Sequence, residues 1–202
     1  MLESTEIRWF FEGTLPLEIK KFFEKNNSRN SIEKRIDYYL LVKDIDHVGI
    51  KMRNSRLEIK WRRNVFQFNF PYSDVEGNIE GWTRWEWNDK ASFIEIESMF
   101  EKTKSNPWVK VIKKRIQRKF KIYEDKIITT SPGEIHSDFA MEITELIANR
   151  QVWWSFALDS FTGKDIQYFN QIIKSQLTDN IKISLRKEWS FGYPHWLGQV
   201  CK

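Results

Sequence analysis

Long stretches of this chain alternate apolar and charged residues with a period of two, the pattern of a strand with one dry and one wet face. Residues 49–62 show it most fully. Lys51 and Arg53 alternate with Ile50 and Met52. After a short turn at Asn54-Ser55, Glu58, Lys60 and Arg62 alternate with Leu57, Ile59 and Trp61. Two strands joined as a hairpin are expected there. The same alternation predicts strands over 6–12, 33–42, 79–88 and 108–120, and a further pair over 137–146 and 151–161, joined at Ala148-Asn149-Arg150. A last strand is expected over 181–187. Val65 to Phe70 reads as strand or bend, stopped by Pro71.

Helical periodicity is rarer. Thr14 reads as a cap, with Pro16 in the first turn of a helix carrying Leu17, Phe22 and Phe23. Asp89 can cap a helix over 90–104, and Gly163 precedes one of about fifteen residues. With eight to ten strands, many of them hairpin-linked, and three helices, the sheet should be mostly antiparallel and the class α+β. No repeat, low-complexity tract or internal boundary divides the chain, so 1–202 is expected to form one domain.

Charged strand faces recur near residues 6, 35, 51, 58, 84, 113 and 142. An open sheet with one solvated side would account for them. So would a closed barrel of about eight strands, with helices packed outside and the charged faces turned inward. The strand over 108–120 does not decide its own orientation, because Lys113 and Arg115 lie on one face and Lys114 and Arg118 on the other. Charges enclosed in a barrel are costly unless paired, solvated or bound to a ligand. The closed form therefore implies a polyanion with a divalent cation.

Composition narrows the choice. A net charge of +5 fits an anionic partner, nucleic acid included. The cations alternate along strands instead of clustering on an exposed helix, which makes nucleic acid the weaker expectation. The 202 residues include 15 Phe and 10 Trp, ample for a core. Cys201 is the one cysteine, so neither an internal disulfide nor a cysteine-based zinc site is expected. The three histidines, His47, His136 and His195, have no metal-ligand spacing. The start Met1-Leu2-Glu3 lacks the features of a signal peptide, and no apolar run approaches a membrane span, so a cytoplasmic protein without membrane contact is expected.

One succession of short motifs carries more. In order stand Glu6-Ile-Arg-Trp-Phe10, Asp37-Tyr-Tyr39, Gly49-Ile-Lys-Met-Arg53, Leu57-Glu-Ile-Lys60 and Ile79-Glu-Gly-Trp-Thr-Arg84. Val111-Ile-Lys-Lys-Arg115, Ala140-Met-Glu142-Ile-Thr144, Ala157-Leu-Asp159 and a closing segment from Ser190 to Leu197 follow. The order and spacing resemble the CYTH superfamily, the triphosphate tunnel metalloenzymes. That resemblance implies an eight-stranded antiparallel tunnel and selects the Lys113 and Arg115 face as internal. It implies that Lys51, Arg53, Lys60, Arg84, Lys113 and Arg115 bind a triphosphate. Glu6, Glu142 and Asp159 would hold Mg²⁺ or Mn²⁺, and Glu142 and Asp159 would serve catalysis. The implied activity is metal-dependent phosphohydrolysis, in which a metal bridging phosphate oxygens polarises phosphorus. The chain departs from the family pattern at three positions. Arg8 stands for a glutamate, Phe10 for a lysine and Ala157 for an acid. These departures support a second reading, a non-catalytic binding protein for a phosphorylated or other anionic ligand on the same fold.

Overall fold

The computed structural model describes residues 1–25, 32–70, 74–88, 94–96, 98, 107–124, 126–130, 137–161, 167–178 and 183–202. Nine strands form a single antiparallel sheet: β1 (Leu2–Glu12), β2 (Glu33–Leu40), β3 (Val48–Arg53), β4 (Arg56–Asn69), β5 (Glu76–Asn88), β6 (Trp108–Tyr123), β7 (Lys126–Thr129), β8 (Phe139–Ala148) and β9 (Gln151–Ser160). Their order is β2-β3-β4-β5-β1-β9-β8-β6-β7, and β2 also pairs with β6 over Glu33↔Arg115 to Leu40↔Trp108. That last pairing closes eight strands into a barrel and leaves β7 as an extra strand on β6. An α+β barrel with external helices is therefore the fold.

Two-residue turns fix the register of two hairpins. Asn54 and Ser55 join β3 to β4, and Asn149 and Arg150 join β8 to β9, all four with φ between 47° and 63°. Such left-handed pairs match the twist of antiparallel strands. β4 runs on through the expected bend, with a bulge between Arg62 and Asn64.

Alternation then sorts the side chains. Outward go Ile7 and Trp9 of β1, Ile79 of β5, Ile116 and Phe120 of β6, Phe139, Met141 and Ile143 of β8, and Phe156 and Leu158 of β9. They form the main core with Ile19 and Phe23 of helix α1 (Leu17–Lys25) and Tyr168, Phe169, Ile172 and Ile173 of helix α2 (Gln167–Ile173). The helices thus cover the dry face, and the charged faces close on one another inside.

One end of the barrel is filled. Helix α3 (Tyr193–Val200) lays Trp196, Leu197 and Val200 against the inward Phe10, Tyr39, Val111, Leu146 and Ala148. Phe10 stacks on Phe191 and Trp196, with ring centroids 5.4 and 5.2 Å apart. At the opposite end the lining residues Leu2, Lys119 and Phe161 are exposed.

Several expectations change. α1 begins at Leu17, and the Pro16 carbonyl accepts the first helical hydrogen bond from the Lys20 N–H, so Thr14 is not its cap. The strand expected over 181–187 is absent among the described residues there. Leu185 makes a single bridge to Val75, and a 3₁₀ turn follows at Lys187–Trp189. Ile183 and Leu185, packed on the core between polar neighbours, mimic alternation without a ladder to join. α2 is seven residues, continued by a π-helical turn at Lys174–Thr178, and Gly163 lies outside the described residues. Asp89, His136 and most of 90–104 also lie outside them, although 94–96 and 98 are helical. No helix among the described residues is long and apolar enough to cross a membrane.

Candidate anion-binding cavity

The barrel encloses a cavity of about 710 Å³. All nine residues singled out from sequence line it: Lys51, Arg53, Lys60, Arg84, Lys113 and Arg115, with Glu6, Glu142 and Asp159. Cross-strand register explains why. Lys51 faces Glu58, Lys60 lies between Gly49 and Arg84, and Glu6 faces Asp159, all on adjacent strands and at inner-face positions.

The basic wall is built from β2, β3, β4, β5 and β6. Glu58 sits within it as a shared counter-ion, 2.6 Å from Lys51 and 3.8 and 3.9 Å from Arg53 and Arg84. Against the opposing effect of burial, Lys51, Lys60 and Arg84 hold the Glu58 carboxyl well below the usual carboxylate range. Lys60 lies 3.4 Å from Glu6 and over the Trp82 ring. Deeper in the barrel, Lys113 is 1% exposed. Its ammonium lies 3.0 Å from Asp37, donates to the Tyr39 hydroxyl at 2.8 Å, and sits 3.6 Å from the centroid of the Tyr193 ring. Burial lowers its pKa to about 7, against the pull of Asp37. Burial likewise lowers Lys51 to about 8.

The acidic wall is β1, β8 and β9, with Arg8 in its centre. The Arg8 guanidinium is 2.6 Å from Glu142, 3.7 Å from Asp159 and 3.3 Å from the Ser155 hydroxyl. Glu142 also accepts from Gln117 at 3.0 Å, Thr144 at 3.3 Å and Arg115 at 3.4 Å, so both its oxygens are engaged. Arg115 is in turn held by Glu33. Burial, reinforced by the nearby Glu142 charge, pushes the Asp159 carboxyl up to about 8, and it hydrogen-bonds Glu6. The cavity surface as a whole carries nine cations and five carboxylates, so an entering ligand meets net positive charge.

These carboxylates do not fit a divalent metal. No group of three His, Cys, Asp or Glu side chains among the described residues is arranged to hold one. A hard dication needs several free oxygens at short range. Here Glu142 is saturated by donors, and a guanidinium already stands between it and Asp159.

Several lining residues carried no role in the sequence reading. Lys119 and Gln117 continue the parity of Lys113 and Arg115. Glu80, buried but outside the cavity lining, continues that of Trp82 and Arg84 and pairs with Arg62 at 2.8 Å. Extending the alternation would have found them. Arg35, on the inner face with Asp37 and Tyr39, braces Asp37 and Glu33 at 3.5 and 2.9 Å. Tyr193 has no such signal, because it comes from a helix that reaches the interior through the barrel end. No family model matches the chain, and no curated protein matches it.

Proposed function

We propose that this barrel is a binding protein for a compact phosphorylated polyanion, of triphosphate size, held in the basic cavity. The observation that carries the reading is the convergence of Lys51, Arg53, Lys60, Arg84 and Arg115 on one enclosed space, with some of their charge left to spare. Arg53 comes no closer than 3.8 Å to its carboxylate partner Glu58, and Lys60 no closer than 3.4 Å to Glu6. Arginine presents a forked donor matched to phosphate oxygens, and lysine a mobile point charge. The counter-ions behind them fix the cations before a ligand arrives, which lowers the ordering cost of binding. Inward placement of the cations supports a small ligand over nucleic acid.

Metal-dependent phosphohydrolysis is the second reading. The gathering of Glu6, Glu142 and Asp159 on one wall favours it, and the commitment of those carboxylates to Arg8 and its neighbours disfavours it. The test is calorimetric titration of tripolyphosphate and ATP, followed by phosphate release on the same sample. Saturable binding without release is expected. Arg53→Ala and Arg84→Ala should each weaken it about tenfold or more, the value of one charged hydrogen bond. Metal-dependent release would favour the hydrolase, and absence of binding would remove both readings.

A further inference from the structure

We propose that Arg8 is a built-in cation that takes the place of a divalent metal on the acidic wall, so that polyanion binding in this cavity is metal-independent. The inference rests on the anion-binding reading above and adds the cofactor requirement of that site.

Strand register supplies the first argument. Arg8 of β1 pairs with Ala157 of β9, Ala157 with Glu142 of β8, and Glu142 with Gln117 of β6. These residues form one row across four strands. Ala157 is fully buried and contributes only a methyl group. The guanidinium passes over it and reaches Glu142, two strands away, at 2.6 Å. An acid at position 157 would fill that gap. The two departures at positions 8 and 157 are therefore one feature: a cation added on β1 and the space for it cleared on β9.

Fixation supplies the second. Arg8 is 5% exposed and anchored by Glu142, Ser155 and Asp159 on two strands. The Tyr193 ring covers it, 5.1 Å from the guanidinium carbon. A cation so held does not swing aside to admit a second one. It also offsets carboxylate charge that would otherwise repel an anion, which is the electrostatic service a metal gives on such a wall.

The most direct test titrates Mn²⁺ alone into the wild-type protein, followed by paramagnetic resonance. This readout involves no phosphate and no activity. No uptake up to millimolar Mn²⁺ is expected, and stoichiometric uptake would overturn the inference. Tripolyphosphate should then bind wild type in EDTA at least as tightly as with Mg²⁺, whereas binding that needs Mg²⁺ would also overturn it. Arg8→Ala should lose at least tenfold in tripolyphosphate affinity in EDTA and gain Mn²⁺ uptake. An Arg8→Ala protein that folds and changes in neither respect counts against the proposal. Should Arg8→Ala not fold, Arg8→Lys keeps the charge, and it should bind tripolyphosphate in EDTA with a smaller loss and still refuse Mn²⁺. Wild type that takes up neither Mn²⁺ nor tripolyphosphate would refute the anion-binding reading itself, an outcome distinct from metal-dependent binding.

Discussion

Lys113 shows how one side chain couples the cavity to pH. It faces Asp37, Tyr39 and Arg35 of β2, Arg8 of β1 and Tyr193 of α3, and burial brings its pKa to about 7. In the free protein its charge is lost as pH rises through that value. A polyanion favours the charged form, so binding at pH 8 should take up protons, and affinity should fall between pH 7 and 9. Calorimetry in buffers of different ionisation enthalpy measures the uptake, which should shrink in Lys113→Met. Glu142 makes a different point. Glu142→Ala strands the buried Arg8 charge and should cost roughly 3–5 kcal/mol in urea unfolding, the penalty for an uncompensated buried partner. Glu86→Ala, at a more exposed pair with Arg84 and Arg56, should cost under about 1 kcal/mol. Loss of function in Glu142→Ala would thus report structure before chemistry.

At the scale of elements, the strands were the most legible part of the chain, and physical reasons account for the misses. A barrel with a dry outside and a charged inside imposes strict alternation, so the hairpin at 49–62 and the turn at Asn149-Arg150 could be read directly. Neither face of β6 is polar-free, because Lys114 and Arg118 sit among its outward residues, so its pattern did not orient it. α3 was legible only as a closing segment. It is eight residues long and starts with Tyr193-Pro194, and its partners Phe10, Val111 and Leu146 lie on three different strands. This plug explains Phe10. A lysine there would bury its charge among Trp196, Phe191 and Tyr193, whereas phenylalanine stacks with them. Trp196→Ala should leave a cavity at the barrel end and cost about 3–5 kcal/mol, read from chemical denaturation.

Barrel closure is a property of the whole molecule, and no local pattern encodes it. It depends on β2 meeting β6, strands far apart in the chain, and alternation alone is equally satisfied by an open sheet. Closure turns scattered charged faces into one lining and makes each cation's partner a cross-strand neighbour. The resulting lining is a paired network with a cationic excess, its acidic wall occupied by Arg8 and its basic wall partly unspent. Such a lining suits a polyanion bound without metal, as proposed above. The most direct measurement is calorimetric titration of tripolyphosphate into wild-type protein in EDTA near pH 7. Saturable one-to-one binding is expected, weakened at least tenfold in Arg53→Ala. No saturable binding, or binding that appears only when Mg²⁺ or Mn²⁺ is added, would contradict it.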